Sequence, residues 1–381
     1  MLGRKTILVL AAVTVVVALA AIFSKQDSSA IPGQGEPLFP ELMARINDAR
    51  QVSGISSDGS FTIKRRDDGW VVEEKSNYPA DADKVHRLLL GTAQLTRVEP
   101  KTRKPEFYAQ LGVEDVDADG SESLKFTLKN AGGDALADFI LGTRRPATGN
   151  PNLSEYFVRI PGNPQTWLVE GKLPDDKNPI NWIDREILEL DSKRVREVRV
   201  THANGDKIIV RRPDPSADDF ELVGLPKGAQ IKDVYAVNGI GNGLTNLSLD
   251  DVKSASAVRQ DKKKAAMSVE ITTFDGLRVT MHTRKNGKEN LAWFSAAFDP
   301  ALVYKDAKPE KTETGSEAQD ADEQTSLKAA DVVKQEAETL NTRWQGWLYV
   351  VPQYRVDSVA KKKSDLIKFS KKQDSGKTAG S

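Results

Sequence analysis

The clearest hydrophobic pattern in the chain is a two-residue alternation in FTIKRR (61–66), where Phe61 and Ile63 share one face. The turn residues DDG (67–69) separate this stretch from the apolar WVV (70–72). Alternation at period two predicts β-strands, and Asp and Gly tolerate the backbone angles of a tight hairpin. The sequence therefore predicts a β-hairpin, with Phe61 or Ile63 beside the first residue of WVV.

A helix is predicted directly after this hairpin. Tyr78 and Pro79 precede Asp81, whose carboxylate suits a helix N-terminus because it accepts hydrogen bonds from free backbone amides. Apolar and small residues then recur at helical spacing, at Val85, Leu88, Leu89, Thr92 and Leu95. This spacing predicts a helix that packs one face on the hairpin.

A weaker copy of the hairpin and helix follows about 150 residues later, in RRPDPSADDFELVGLPKGAQIKDV (211–234). Phe220 takes the place of Trp70 in this copy. Four helix positions recur at a constant offset of 149 residues: Val85, Leu88, Thr92 and Leu95 correspond to Val234, Val237, Gly241 and Leu244. The constant offset predicts an internal duplication.

The later parts of each half contain further alternating segments joined by Gly-containing turns. EYFVRI (155–160) and TWLVEG (166–171) predict a hairpin, followed by a helix from Pro179. That helix would carry Trp182, Ile183, Glu186, Ile187 and Leu190. GWLYV (346–350) is the counterpart, with a helical stretch ending near Phe369. The predicted class is α+β, with two related domains of mainly antiparallel sheet and packed helices, after one N-terminal transmembrane helix.

Residues 6–23 are uncharged and follow Arg4 and Lys5. An 18-residue helix spans about 27 Å, close to the thickness of a bilayer core. The positive-inside rule places the rest of the chain outside the cytoplasm. The alternative is a signal peptide cleaved after Ala20, but the apolar stretch continues to Phe23, which favours an uncleaved anchor.

The predicted domain plan follows from shifts in composition. It comprises a transmembrane signal anchor (1–23), a flexible linker (24–37), a first α+β repeat domain (38–192), a second (193–370) with a disordered insertion (305–331), and a disordered tail (371–381). The insertion contains almost no large apolar residues, so it lacks the means to bury a core.

Composition and motifs exclude several kinds of chemistry. The chain has no cysteine, and its 55 Lys and Arg balance its 55 Asp and Glu, so no overall charge attracts nucleic acid. NGIGNG (238–243) lacks the preceding buried strand of a dinucleotide loop, and His202 and His282 lack metal-ligand spacing. The lysines at 262–264 and 361–363 are interpreted as solvated faces, with anionic lipid or nucleic acid as the alternative. We predict no catalytic residue, cofactor or metal.

The stretch DDGWVVEEKSNYPADADKVHRLL, followed by FYAQLGV (107–113), FILG (139–142) and YFVRI (156–160), resembles the bacterial family called domain of unknown function 4340. The positions that carry the resemblance include Gly69, Trp70, Tyr78, Pro79, Ala80, Asp81, Leu111, Gly112, Val113 and Gly142. The family's motifs are structural and bring no catalytic residue with them. The resemblance implies a membrane-anchored envelope protein, often encoded beside an export system similar to the gliding-motility ABC transporter.

The leading hypothesis is a non-enzymatic periplasmic accessory protein of an ABC-type transport system, held in the bacterial inner membrane by a single pass. Its partners would be membrane lipid, through residues 6–23, and a permease or auxiliary envelope subunit. The alternative is a free-standing envelope protein that binds glycan or lipoprotein, with Trp70, Trp167 and Trp182 as stacking surfaces. A cryptic hydrolase is the third hypothesis.

Overall fold

A computed structural model describes residues 32–148, 150–256, 265–305 and 327–369. These residues form two compact units, the first containing 32–74 and 80–182 and the second containing 75–79 and 183–369. The division falls between Trp182 and Ile183, whereas the sequence placed it after residue 192. The predicted anchor, the tail, and most of the predicted linker and insertion lie outside the described residues.

The first unit is built on an antiparallel sheet of eight of its strands, in the order β3-β2-β1-β6-β7-β8-β9-β5. The strands are β1 (Gln51–Ser56), β2 (Gly59–Arg66), β3 (Gly69–Val72), β5 (Thr96–Pro100), β6 (Leu124–Lys129), β7 (Ala135–Pro146), β8 (Ser154–Arg159) and β9 (Thr166–Gly171). Strand β4 (Tyr78–Pro79) belongs to the second unit.

The predicted hairpin is β2 and β3, and Phe61 is fully buried on its inner face. The Phe61 ring stacks on Trp182, with ring centroids 4.8 Å apart. Trp70 is buried, but its cross-strand partner is Arg65 rather than Phe61 or Ile63. The prediction of the partner was wrong because strand register depends on where the turn closes, and here Gly69 already pairs with Arg66.

The helices of the first unit are short except for α2. They are α1 (Leu42–Arg45), α2 (Ala82–Ala93) and α3 (Tyr108–Leu111), with 3₁₀ turns at Ile46–Asp48, Glu73–Lys75, Pro105–Phe107 and Pro179–Trp182. Helix α2 buries Val85 and Leu88, as its spacing predicts. Within this unit the last residues of the predicted linker are paired, because Gly35 donates to Arg97 O at 2.8 Å. Gly35, which the sequence assigned to the linker, therefore belongs to the folded first unit.

The second unit contains an antiparallel sheet in the order β13-β12-β11-β17-β18-β19-β20-β16, and two small sheets, β10-β15 and β14-β21. Its strands are β10 (Glu186–Glu189), β11 (Val195–His202), β12 (Lys207–Arg211), β13 (Glu221–Leu222), β14 (Ala229–Ile231), β15 (Asn246–Ser248), β16 (Asp251–Ser254), β17 (Met267–Thr273), β18 (Leu277–Asn286), β19 (Glu289–Phe298), β20 (Trp347–Val350) and β21 (Ile367–Phe369).

The helices of the second unit are α4 (Val234–Asn242), α5 (Ala330–Trp344), α6 (Gln353–Val359) and α7 (Lys363–Leu366), with 3₁₀ turns at Ser192–Arg194 and Pro300–Leu302. Helix α4 follows β13 as α2 follows β3, and the strand order of the two main sheets is the same position for position. This shared order is what an internal repeat predicts. Mainly antiparallel sheets with a few helices confirm the α+β class.

Two predicted helical stretches were wrong. The stretch from Pro179 is one 3₁₀ turn, after which residues 186–189 form strand β10 paired with β15. The stretch after β20 is broken into α6 and α7 and ends in strand β21. In both cases pairing with a distant strand decided the conformation, which local spacing does not encode.

A buried ion cluster fixes helix α5 to the sheet of the second unit. Arg194, the last residue of the 3₁₀ turn directly before β11, donates to Asp275 at 2.7 Å and to Glu336 of α5 at 2.9 Å. Burial alone would lower the pKa of Arg194, but its hydrogen bonds to Glu336 and Asp275 raise it above the ordinary value. Lys328 N also donates to Asp275, so Lys328, which lies inside the predicted insertion (305–331), is part of the folded second unit.

Within the described ranges, no helix is long and apolar enough to cross a membrane. The segment predicted to do so, residues 6–23, lies outside these ranges.

Candidate functional site

Four residues of the resemblance, Leu111, Gly112, Val113 and Gly142, meet in the first unit. Gly112 ends helix α3 in the left-handed conformation (φ +67°), and Val113 N donates back to Tyr108 O at 3.1 Å. This turn lies on strand β7 at Gly142, where a Cβ atom would come within 2.3 Å of Leu111 O. Glycine at 142 is therefore what lets the turn pack directly on the strand.

A buried arginine lies beside this turn. Arg159, the last residue of β8, is 6% exposed and donates from Nε to Val113 O at 2.8 Å. Its Nη2 donates to Asp115 at 2.5 Å, and its guanidinium lies 4.7 Å from the centroid of the Tyr108 ring. Tyr108 in turn donates its hydroxyl to Pro164 O at 2.7 Å. The guanidinium is held by a carbonyl, a carboxylate and an aromatic face.

These residues line a cavity of about 430 Å³, which we call the Arg159 cavity. Its lining comprises Pro105, Tyr108, Glu114, Asp115, Ala118, Arg159, Gly162, Asn163 and Pro164. Arg159 Nη1 has no hydrogen bond to any residue that the structure describes. Glu114 Oε1 accepts from Glu122 N at 2.9 Å, whereas its buried Oε2 has no partner among those same residues.

The chemistry that the Arg159 cavity offers is hydrogen bonding. The Arg159 guanidinium keeps a nitrogen without a hydrogen bond among the described residues, beside the Tyr108 ring and the Asp115 carboxylate. This donor matches the carbonyl and carboxylate groups of a peptide segment, and leaving it unpaired in a buried complex would cost free energy. The cavity therefore has the character of a recognition site for a polar chain.

The remaining motif residues of the first unit have structural positions. Gly69 starts strand β3 with φ +133°, a conformation that other residues rarely adopt. Trp70 is 7% exposed, and its carbonyl accepts from Ala80 N at 2.8 Å. Asp81 caps helix α2 by accepting from Lys84 N at 2.8 Å. None of these three residues lines the Arg159 cavity.

Tyr78 and Pro79 belong to the second unit. Pro79 O accepts from Asp184 N, and the Tyr78 ring packs edge-on against Trp347 with centroids 4.9 Å apart. Burial raises the pKa of Tyr78 to about 12, although a hydrogen bond with Tyr349 opposes this shift. Burial also raises the pKa of Tyr349. The motif tyrosine is thus a buried anchor within the second unit.

The residues before Tyr78 adopt an uncommon backbone. Ser76 and Asn77 both have positive φ, at +60° and +62°, which costs free energy for residues other than glycine. On one side of them Lys75 pairs with Asp251 at 2.8 Å, and on the other side Tyr78 is buried. These two attachments hold the strained pair in place.

The other sequence candidates are accounted for locally. Gly241 lies within helix α4, and its missing side chain makes room for the Phe220 ring, which a Cβ would approach to 2.3 Å. His202 ends β11 and His282 lies in β18. Among the described residues, no three His, Asp or Glu side chains are grouped to hold a metal ion. Lys262, Lys263 and Lys264 lie outside those residues, whereas Lys361–Lys363 lie beside His202.

Sequence reasoning missed Arg159, Glu114 and Asp115 as site residues. The available signal was weak: Arg159 falls at the end of an apolar strand, and the two acids directly follow the Leu111-Gly112-Val113 turn. Their meeting depends on β8 lying next to β7, which carries Gly142. That neighbourhood is a property of the tertiary structure.

Comparison with known proteins gives one positive result. No curated protein and no solved structure matches the chain. The sequence description of the family named domain of unknown function (DUF4340) matches residues 70–268, just over half of the 381 residues. This stretch includes the whole Arg159 cavity and helix α4. Because the match covers more than half of the chain, the chain belongs to the DUF4340 family.

Proposed function

We propose that the chain is a non-enzymatic accessory protein of an ABC-type transport system, anchored in the inner membrane with its folded units in the periplasm. The Arg159 cavity is the observation that supports this role best. It is a concave surface with both polar and apolar lining, built by a strand end and a glycine turn, and it suits a protein segment as its occupant. The apolar segment 6–23 supports the membrane attachment.

In this role the Arg159 cavity receives a loop of a permease or auxiliary subunit. Arg159 Nη1 donates to a carbonyl or carboxylate of that loop. Because Arg159 is already fixed by Val113 O and Asp115, little side-chain entropy is lost on binding. Recognition then depends on pre-formed geometry.

The glycan-binding alternative has less support. It depends on exposed tryptophan rings, but Trp70 is 7% exposed and Trp182 is fully buried. Trp167 is half-buried, and the Arg97 guanidinium lies 5.3 Å from its ring centroid. The least buried ring of the three therefore already has a guanidinium against it.

The experiment is cross-linking of the tagged full chain in its native membrane, followed by identification of the captured proteins. Ala118→Arg adds a long charged side chain at the exposed rim of the Arg159 cavity, and Ala131→Arg adds the same side chain in the exposed β6–β7 turn. We expect a transporter permease or ATPase to be captured by the parent chain and by Ala131→Arg, and to be lost with Ala118→Arg.

Two outcomes would refute the proposal. Capture of the same transporter subunits by Ala118→Arg would remove the Arg159 cavity from the interaction. Recovery of the intact chain in the soluble fraction after carbonate washing would remove the membrane anchor.

A further inference from the structure

The second unit contains a cleft that the proposed function does not use. It lies where β11 ends, at the turn into β12, and it has a volume of about 620 Å³. Its lining comprises His202, Ala203, Asn204, Asp206, Lys207, Ile208, Ala266, Lys362 and Lys363. We call it the lysine cleft, since three of its lining residues carry ammonium groups.

Hydrogen bonds from backbone and side-chain atoms hold the walls of the lysine cleft. His202 Nε2 lies 3.0 Å from Lys361 O, which ties the lysine segment to the end of β11. Ala203 N donates to Ala266 O at 2.9 Å, and Lys363 Nζ donates to Gly224 O at 3.1 Å. The lysines are thus carried on a backbone that these contacts hold in place.

The lysine cleft has a local excess of positive charge. Neither Lys207 nor Lys362 forms a side-chain ion pair with a carboxylate in the described part of the chain. The carboxylate of Asp206 accepts from the Asn204 amide at 2.6 Å, and Asp365 accepts from the backbone N of Lys362 at 2.9 Å. Three lysines and one carboxylate, that of Asp206, line the cleft in a chain whose total charge is zero. Of these lysines, Lys363 is bonded to Gly224 O, and Lys362 lies near the Asp365 carboxylate, whose pKa it helps to lower.

We propose that the lysine cleft binds a phosphate group. Ammonium groups are strongly hydrated point charges that suit phosphate oxygens, and several of them on one concave surface reinforce one another. The Asn204 amide and the His202 ring supply further polar neighbours. The phosphate belongs either to the headgroup of an anionic lipid or to a soluble phosphorylated compound, and the test distinguishes these sources.

The test is isothermal titration of the purified full chain in a neutral detergent with two probes. Inorganic pyrophosphate represents a soluble phosphate, and dihexanoyl phosphatidylglycerol below its micelle concentration represents the headgroup, with dihexanoyl phosphatidylcholine as the neutral counterpart. Binding of phosphatidylglycerol without pyrophosphate assigns the lysine cleft to lipid, and the reverse assigns it to a soluble ligand. In either case the affinity should fall as salt is added.

The variants remove the positive charge from the lysine cleft. Each lysine contributes about 1 kcal/mol to attraction of an anionic headgroup, which is about fivefold in affinity, so Lys207→Gln with Lys362→Gln should weaken binding about 25-fold. The control, Lys104→Gln with Lys288→Gln, removes two exposed lysines elsewhere and should bind like the parent.

A second variant keeps the test independent of lysine removal. Ala266→Asp places a carboxylate on the exposed wall of the lysine cleft and should weaken binding about fivefold or more. The proposal is overturned if neither probe binds the parent chain. It is also overturned if the lysine variant binds as tightly as the parent, or if the control loses as much affinity as the lysine variant.

Discussion

The contact between Gly142 and the Leu111-Gly112-Val113 turn supports both the first unit and its Arg159 cavity, so Gly142→Ala is the most informative single change. An added Cβ would lie 2.3 Å from Leu111 O and 2.6 Å from Val113 Cγ1. Ordinary contact needs about 3.4 Å or more, so the turn and the strand would have to separate by about 1 Å.

The free-energy cost of Gly142→Ala follows from the known cost of overpacking a folded protein. Inserting atoms into a packed region typically costs about 1–3 kcal/mol, and a clash with backbone lies at or above the upper end. We therefore expect Gly142→Ala to lower the free energy of unfolding of the first unit by about 3 kcal/mol. The same separation pulls Val113 O away from Arg159 Nε, which weakens the support of the guanidinium.

The assay is urea unfolding followed by tryptophan fluorescence and by circular dichroism. With a typical slope of about 2 kcal/mol per molar urea, 3 kcal/mol moves the midpoint of the first unit down by about 1.5 M. Gly132→Ala, in the β6–β7 turn, is the control because its Cβ would meet only side-chain atoms at 3.3 Å or more. It should stay within about 0.5 kcal/mol of the parent.

An unchanged midpoint for Gly142→Ala would refute this reasoning, since it would mean that the Leu111 turn does not lie against β7. A loss in Gly132→Ala as large as that in Gly142→Ala would refute it as well, because the effect would then not depend on the close backbone contact.

Three further predictions concern buried groups. Trp70→Ala should cost the first unit about 3–5 kcal/mol in urea unfolding, because a buried indole is removed, and a loss below about 0.5 kcal/mol would show that Trp70 is not part of the core. The pKa of Tyr78 in the folded protein is raised to about 12, so the stability that its hydroxyl contributes is complete below the unfolded pKa of about 10 and is lost between about pH 10 and 12. Tyr78→Phe should therefore reduce the fall of the unfolding free energy between these pH values, by up to about 2–3 kcal/mol. An unchanged slope would contradict this prediction. Asp275→Ala should destabilise the second unit by about 3–5 kcal/mol, because the buried Arg194 then keeps only one of its two carboxylate partners. Asp250→Ala, which breaks an exposed ion pair, should cost under about 1 kcal/mol. Equal losses of the two variants in thermal unfolding would contradict this difference between buried and exposed pairs.

The two proposed binding surfaces differ in chemistry, and each lies within one unit. The Arg159 cavity presents one guanidinium among acceptors, which suits a peptide, and the lysine cleft presents ammonium groups, which suit phosphate. Because they share no residue, a variant in one should leave binding at the other unchanged. Failure of either proposal leaves the other to be judged on its own test.

Local patterns in the sequence were sufficient for the elements of the fold that form from neighbouring residues. The alternation of Phe61 and Ile63, and the turn ending at Gly69, predicted a hairpin that the structure contains. Asp81 and the spacing of Val85 and Leu88 predicted helix α2 and its buried face. These predictions hold because turn chemistry and side-chain periodicity act within a few residues of each other.

Tertiary structure alone decided what depends on distant pairing. Residues 186–189 have an apolar spacing that fits a helix, but they form a strand because β15 offers an unpaired edge nearby. Arg159 has no distinguishing pattern in the sequence, and it becomes a site residue only because β8 pairs with β7 and Gly142 admits the Leu111 turn. Likewise, His202 reaches Lys361 across 159 residues of chain. Burial and charge at such places are set by the neighbours that folding brings together, and the periodicity of a short segment carries no information about those neighbours.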